Sequence, residues 1–304
     1  KMPVDVVVSI GGGSVIDCGK AVSAMLAEGG PVRDYLEGVG TQKPSGEKIP
    51  FIAVPTTAGT GSEATKNAVI CDRREGYKKS LRHDAYMPDV ALVDPGLTLS
   101  LSSPLTAACG LDAVAQLIES YTSPKADPVT DSLALKALAF SAESLVPLCL
   151  DRGNDIALRE KMSYAALVSG ITLSRAGLGA VHGMAGPLGG LFPVPHGVAC
   201  GKLLFPVMSF VVKKVMDEKN AVARKRFADI GKIFAGRSDE DDALYCKYFL
   251  DTLREWAQAL KLPQLSFYGM TAADVERVIR LADSKNSPAG LSPKEMKVVL
   301  EIVR

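Results

Sequence analysis

The hydrophobic pattern of the first third of the chain predicts short strands and an intervening helix. Three short, apolar runs rich in β-branched side chains are typical of buried strands: residues 4–10, 51–54 and 90–93. After the first run, Ser14 and Asp17 have the spacing of a capping box, which predicts a helix over residues 15–25. This part of the chain therefore predicts an α/β fold.

From about residue 100 onward, apolar positions recur with a helical period and the strand signals stop. Ser103-Pro104 places proline at a first helical position. The pattern predicts helices over residues 105–121, 131–146, 157–173, 205–215, 221–233, 243–260 and 272–281, and a last helix opened by Ser292-Pro293. We therefore expect an α/β domain over residues 1–101 and an all-helical domain over residues 102–304.

Composition narrows the function classes. A net charge of +1 argues against a nucleic-acid or acidic-membrane partner. The six cysteines form no C-x-x-C motif, which favours a reduced, cytoplasmic protein. The most apolar region, residues 188–212, is interrupted by prolines, glycines, His196 and Lys202, so we do not expect it to span a membrane.

Two glycine-rich loops follow predicted strands. Gly11-Gly-Gly-Ser14 leads into a helix, where glycines and free N–H groups favour a phosphate, although a plain tight turn explains it equally well. The loop does not have the G-x-G-x-x-G spacing of a Rossmann fingerprint. It is not a Walker A motif either, because Ala21 follows Lys20 where that motif requires Ser or Thr. The second loop, residues 55–63, combines glycines with hydroxyls that can bind ribose and pyrophosphate, or is a Ser/Thr-rich turn. Together they predict a ligand crevice.

The start of the chain bears on this crevice. The first predicted strand begins almost at Lys1, whereas a nucleotide-binding sheet usually has neighbours on both sides. We therefore expect the α/β domain to lack an N-terminal portion.

Two of the three histidines, His182 and His196, lie in one apolar Gly/Pro-rich segment over residues 177–197. The segment has no continuous periodicity, which predicts a helix end followed by a shaped loop. Metal ligation is the functional interpretation of this pair, and a satisfied core imidazole is the structural alternative for each alone. His83 lies in a polar stretch and is expected at the surface.

Asp112 stands alone in an apolar stretch of predicted helix, with Gln116 on the same face one turn later. A buried carboxylate needs a cation or hydrogen-bond donors, so backbone N–H groups are the alternative to a metal. Asp112 with His182 and His196 gives three N/O ligands, the usual number for a catalytic divalent metal with an open position.

These segments, in this order, resemble the iron-containing alcohol dehydrogenase family. The motifs are GGGSVIDCGK at residues 11–20, PTTAGTGSEAT at 55–65, the DP-x-LT stretch at 94–98, GLDA at 110–113, and VHGMA, PLGG and PHG within 181–197. The resemblance covers residue 4 to about residue 206. It implies a dehydroquinate synthase-like fold with an N-terminal α/β dinucleotide-binding domain, an all-α C-terminal domain and an active site between them.

The resemblance also implies residue roles. Metal ligands would be Asp112, His182 and His196, which are also the catalytic residues, with Gln116 at the fourth ligand position. NAD or NADP would contact Gly12, Gly13, Ser14, Asp17, Thr56, Thr57, Thr60, Val69, Lys78, Leu97 and Leu101. The implied metal is Fe²⁺, with Zn²⁺ as the alternative, and the implied assembly is a homodimer or higher homo-oligomer.

The sequence departs from the family pattern at Gln116 and Gly186, where relatives commonly have histidine. Glutamine is a weaker partner than imidazole for Fe²⁺ or Zn²⁺, and glycine does no proton chemistry. Either three ligands plus solvent hold the metal, as in similar zinc-using relatives, or the site is weakened.

The resemblance implies an oxidoreductase that interconverts a primary or secondary alcohol and its aldehyde or ketone. The metal would act as a Lewis acid on the substrate oxygen while hydride passes to or from NAD(P). Two alternatives stay open: a nucleotide-binding, catalytically impaired homologue, and a lyase of the dehydroquinate-synthase type.

Overall fold

The computed structural model describes residues 3–304 and confirms an α/β part followed by helices. The strands are β1 (Val7–Gly11), β2 (Phe51–Pro55), β3 (Asn67–Asp72), β4 (Tyr77–Arg82) and β5 (Val90–Ala91). One parallel sheet has the order β1-β2-β5, and its register pairs Val7 with Phe51 and Gly11 with Pro55. Because the strands are parallel and in register, the loops that follow β1 and β2 leave the sheet at the same edge.

The prediction that all three apolar runs are buried is wrong for the outer strands. Phe51 and Ala53 of β2 are fully buried, whereas Val8 and Ile10 of β1 are 51% and 64% exposed. β1 is an edge strand of the sheet in the described chain, and α1 (Gly13–Glu28) packs on its other face. Val90 of β5 is likewise exposed.

The antiparallel hairpin β3–β4 was not predicted. Asn67 pairs with Arg82 and Asp72 with Tyr77, and the connecting turn has Gly76 in the left-handed region. The strands carry charged residues such as Lys78 and Lys79 and only weak alternation, so their sequence resembles a polar loop. The hairpin packs against α1 through β3 and against α5 through β4, the strand that carries Lys78.

The predicted capping box at the start of α1 is also wrong. The N-cap is Gly12 and no side chain caps the helix, so Ser14 lies within the first turn. Asp17 instead accepts hydrogen bonds from the Ser62 hydroxyl and from the Val69 N–H, the latter at 3.0 Å. Partners from the next loop and strand thus replace the local capping bond.

The helices of the described chain in this part are α2 (Ser103–Thr122), α3 (Pro128–Leu150), α4 (Ile156–Ala176), α5 (Ala180–Leu191), α6 (His196–Asp217), α7 (Ala221–Ala235), α8 (Asp242–Leu260), α9 (Val275–Leu281) and α10 (Pro293–Val303). Most predicted helices are longer than predicted, but the one predicted over residues 272–281 begins only at Val275, and α5 was not predicted. Ser292 caps α10 as predicted, whereas α2 has Ser102 rather than Ser103 at its N-cap. The strands all precede α2, while the division into domains at residue 101 stays a prediction.

The interpretation of residues 177–197 as a helix end and a loop is wrong. The segment forms α5 and the start of α6, with a short connection between them. Its glycines serve close packing: a side chain at Gly183 would overlap the Asp283 carbonyl, and one at Gly197 would overlap the Ala108 carbonyl. Pro187 is accommodated inside α5. Glycine and proline here indicate tight helix contacts rather than an irregular chain.

α2 is the central helix of the core. It packs against α3, α4, α6 and α7, and from Gly110 to Thr122 each residue is buried. By length and composition, α3 is apolar enough to cross a membrane, and a second span appears only if the sharply bent pair α4 and α5 is counted as one. A packed core helix of a soluble protein passes the same test, and α3 packs on α2 and α4.

Shortening a buried side chain of α2 should lower the stability of the fold. Leu117 is fully buried on α2, so Leu117→Ala is expected to lower the free energy of unfolding by about 2–5 kcal/mol. The matched control is Val222→Ala, whose side chain is 72% exposed and whose effect should stay within about 0.5 kcal/mol. Denaturant unfolding followed by circular dichroism measures both; equal effects would contradict the central position of α2.

Candidate metal centre and nucleotide cleft

Four potential ligands from three helices meet in one cluster. Asp112 comes from α2, His182 from α5, and His196 and Cys200 from α6, and their ligand atoms all lie within 4.8 Å of one another. Asp112 Oδ1 is 3.3 Å from His182 Nε2 and 3.8 Å from His196 Nε2. The structure thus brings together the three predicted ligands, whose role as metal ligands stays a prediction.

Cys200 is the member that the sequence analysis missed. Its Sγ lies 3.5 Å from His182 Nε2 and 3.7 Å from His196 Nε2. Because α6 begins at His196, the two residues are one helical turn apart on one face. The i, i+4 spacing would have indicated Cys200 if the sequence around His196 had been interpreted as helix rather than loop.

Glu119 is the second missed residue, and it fixes the orientation of His182. It is buried on α2, and its carboxylate accepts hydrogen bonds from the Val181 N–H and from His182 Nδ1, each at 2.6 Å. This contact through Nδ1 leaves Nε2 as the ring nitrogen that faces Asp112 and Cys200, so Nε2 is the atom that a metal ion would bind. Glu119 lies seven residues after Asp112, on the same side of α2.

The electrostatics of the cluster fit a divalent cation. Burial opposes ionisation of Asp112, but His196 and His182 beside it lower the pKa of the carboxyl group to about 2. Burial lowers the pKa of His196 to about 3. Among the described residues, no lysine or arginine nitrogen comes within 4.0 Å of the carboxylates of Asp112 or Glu119. Two buried carboxylates beside nitrogen and sulfur donors are a suitable ligand environment for a metal ion.

Gln116 and Gly186, the two departures from the family pattern, have different surroundings. Gln116 is buried one turn after Asp112, and its Oε1 accepts a hydrogen bond from the Ser169 hydroxyl of α4 at 2.6 Å. Its predicted role as a ligand stays a prediction. At Gly186, an added Cβ would meet no atom within 4 Å, so the position borders open space on α5.

The two predicted nucleotide loops are in direct contact. A Cβ added to Gly12 would lie 3.3 Å from Thr57 Cγ2, and one on Gly13 would overlap the Thr60 side chain. The Thr56 N–H donates to the Gly11 carbonyl at 2.9 Å. The loops therefore form one surface at the N-terminus of α1, which has no side-chain cap and can bind an anion.

A buried lysine, which the sequence analysis did not assign to this surface, holds it in place. Lys20 Nζ donates to the backbone oxygens of Ser62, Thr65 and Asn67 at 2.8–2.9 Å. It ties α1 to the end of the second loop, while Asp17 ties α1 to β3. Asp17 is thus a positioning group in the structure, and its contact with a cofactor stays a prediction.

The remaining predicted cofactor residues come from several other elements of the chain. Ser14 is exposed in the first turn of α1, and Val69 lies on β3. Lys78 on β4 packs against α5, where a Cβ on Gly189 would lie 3.6 Å from Lys78 Cδ. Leu97 and Leu101 lie on the connection between β5 and α2. Their roles stay predictions.

His83 does not belong to the metal cluster. It is half-buried rather than fully at the surface, and its Nδ1 accepts a hydrogen bond from the Ala85 N–H at 3.1 Å. Its side chain serves as the cap of a short 3₁₀ turn.

Two family profiles match most of the chain. The profile described as "Iron-containing alcohol dehydrogenase" matches residues 1–95, and "Fe-containing alcohol dehydrogenase family, C-terminal" matches residues 106–303. The chain is similar to the probable alcohol dehydrogenase EutG of Escherichia coli K12, with 40% identity over 79% of the chain and 58% of that protein. It is 38% identical to the NAD-dependent methanol dehydrogenase of Bacillus methanolicus, over 75% of the chain and 57% of that protein.

A solved structure of alcohol dehydrogenase from Oenococcus oeni superposes with a TM-score of 0.87 and 28% identity, covering 99% of this chain and 77% of that one. The chain spans less than two thirds of the length of both curated relatives. The matched profiles cover most of the chain, and the fold and the order of motifs agree with them. The chain therefore belongs to the iron-containing alcohol dehydrogenase family.

Proposed function

We propose that the protein interconverts a primary or secondary alcohol and its aldehyde or ketone, with NAD(P) and a divalent metal. The observation that supports this proposal most directly is that the surface formed by the two glycine-rich loops packs on α2, the helix that carries Asp112. A Cβ added to Gly59 would lie 2.9 Å from Cys109 Cβ, and Cys109 precedes Asp112 by less than one helical turn. A hydride donor on the loops and a substrate oxygen at the cluster would therefore be neighbours.

When bound, the cation supplies Lewis acidity and the dinucleotide accepts or donates hydride. The chain's own residues provide position and environment. Asp112, His182 and His196 present their ligand atoms toward one point, and Glu119 contacts His182 through Nδ1, which leaves Nε2 facing that point. The loop at Gly12 and Gly13 binds the pyrophosphate.

The surroundings of the cluster support a site that excludes water. Met184, Ala185 and Leu188 of α5 are fully buried around His182, and Val198 and Ala199 of α6 are buried beside His196. In such a setting each charge interacts more strongly than in water. The open space beside Gly186 is the position where a substrate side chain can enter.

Further parts of the proposal come from the relatives and the cysteines. NAD is favoured over NADP because one matched relative is an NAD-dependent methanol dehydrogenase. Fe²⁺ is the metal that the family name implies, with Zn²⁺ as the alternative. The six cysteines are unpaired, which supports a reducing, cytoplasmic location. A homodimer or higher homo-oligomer is proposed from family membership alone.

The proposed activity is tested by anaerobic loading with Fe²⁺ or Zn²⁺ and a panel of alcohols and aldehydes with both cofactors. His182→Ala should reduce kcat/KM by more than about a hundredfold, because even outer partners of metal ligands contribute 10–100-fold. His83→Ala is the matched control and should retain activity. Turnover by His182→Ala equal to that of the wild type would contradict the assignment.

Glu119 is expected to act on metal binding through His182. Glu119→Gln weakens the hydrogen-bond acceptor that fixes the imidazole, so metal affinity should fall about 10–100-fold. Competition with a chelator measures this change. Since Glu119 does not contact the nucleotide surface, NADH affinity should be unchanged, and parallel loss of both would indicate general misfolding instead.

Gly13 should be essential for nucleotide binding. In Gly13→Ala the new methyl group overlaps Thr60, at a cost of about 1–3 kcal/mol if nothing moves, so the two loops must shift apart and lose the geometry that would bind the nucleotide. NADH fluorescence titration should therefore show a Kd roughly ten- to hundredfold weaker. Gly290→Ala, whose Cβ would meet only ordinary contacts at 3.7 Å, is the control. Equal affinity for NADH in the two variants would contradict the assignment of the loop.

A further inference from the structure

Cys200 belongs to the hydrophobic core of the helical part, yet its sulfur lies among the polar groups of the cluster. It is fully buried on α6, and its sulfur faces His182 Nε2 at 3.5 Å and His196 Nε2 at 3.7 Å. A structural thiol is usually surrounded by apolar groups, whereas this one points at two imidazoles and a carboxylate. The sulfur therefore lies where it could bind a metal ion together with these groups.

Four of the six separations within the cluster are close to the edges of a tetrahedral site. Bonds of about 2.1 Å to nitrogen or oxygen and about 2.3 Å to sulfur give tetrahedral edges of roughly 3.4 Å for N/O pairs and roughly 3.6 Å for N/S pairs. The Asp112–His182 and Asp112–His196 edges are 3.3 and 3.8 Å. The two edges from Cys200 Sγ to imidazole nitrogens are 3.5 and 3.7 Å.

Gln116 is the competing candidate for the fourth position, and its side chain is engaged elsewhere. Its Oε1 accepts the Ser169 hydroxyl at 2.6 Å in a buried contact between α2 and α4. This hydrogen bond occupies one of the two lone pairs of the amide oxygen and directs the side chain toward α4. The Cys200 sulfur, in contrast, already lies within 4.8 Å of the ligand atoms of Asp112, His182 and His196.

We propose that Cys200, not Gln116, is the fourth protein ligand, and that the resulting Asp-His-His-Cys set shifts the preference of the site from Fe²⁺ toward Zn²⁺. A thiolate is a soft ligand that suits zinc, and a thiol that coordinates such a cation loses its proton. Zinc sites can expand from four to five ligands, which keeps a position available for a substrate oxygen. The proposal rests on the proposed function in so far as both place a metal at this cluster.

The test uses a spectroscopic readout that does not depend on activity. The full chain is stripped of metal, loaded with Co²⁺ under anaerobic conditions, and examined for the near-ultraviolet charge-transfer band of a thiolate–Co²⁺ bond. We expect the band in the wild type and in Cys246→Ser, a buried thiol on α8 outside the cluster. It should disappear in Cys200→Ser and Cys200→Ala. Absence of the band in the wild type, or its persistence in both Cys200 variants, overturns the proposal.

Two further variants separate the competing ligands. Cys109 precedes Asp112 by less than one helical turn, but its sulfur is not among the ligand atoms that converge in the cluster, so Cys109→Ser should keep the band. Gln116→Leu should keep both the band and the Zn²⁺ affinity, whereas Cys200→Ser should lose at least about tenfold in Zn²⁺ affinity. A loss in Gln116→Leu without a loss in Cys200→Ser overturns the assignment, and far-ultraviolet circular dichroism confirms that each variant is folded.

Metal selectivity completes the test. After equilibration of the apo-protein with equal Zn²⁺ and Fe²⁺, the bound Zn²⁺/Fe²⁺ ratio should be lower for Cys200→Ser than for the wild type, and an unchanged ratio overturns the selectivity claim. The band without turnover of any alcohol supports the ligand assignment while the proposed activity fails. Turnover with Fe²⁺ in the absence of the band supports the proposed activity, while the ligand assignment fails.

Discussion

The burial of two carboxylates on one apolar helix is the constraint on which the site depends. Asp112 and Glu119 are 1% and 2% exposed on α2, and in the described chain their charged partners are histidines. An uncompensated buried carboxylate is strongly destabilising, so the helices must bring donors to both groups. α5 brings His182 between them, so that one imidazole contacts Glu119 through Nδ1 and Asp112 through Nε2.

Close backbone packing makes this convergence possible. α5 can approach Asp283 only because position 183 is glycine, and α6 can approach α2 at Ala108 only because position 197 is glycine. Each of these glycines lies next to a histidine in sequence, at 182 and 196. A Cβ at either position would push its helix away and move the neighbouring imidazole out of reach. Gly183 and Gly197 therefore help to position the imidazoles of His182 and His196.

Motif order predicted Asp112, His182 and His196 as one site, and the structure brings these three residues together. The parallel strands and most helices were predicted from the hydrophobic period. The failures share a cause: glycine was interpreted as a sign of loop, so α5 was missed and Cys200 was not connected to His196. Glu119 escaped notice because its partners come from a helix 62 residues later, and local patterns carry no information on such contacts.

Gln116 and the second glycine-rich loop both contact the same region of α4. Gly61, in the left-handed region at φ +61°, brings the loop against Gly170 of α4, where an added Cβ would lie 2.5 Å from the Gly170 nitrogen. Ser169, the preceding residue, holds Gln116 on α2. The amide thus secures α4 to the ligand-bearing helix beside the point where the nucleotide loop docks. Through that contact Gln116 connects the helix that carries Asp112 with the helix on which the nucleotide loop docks.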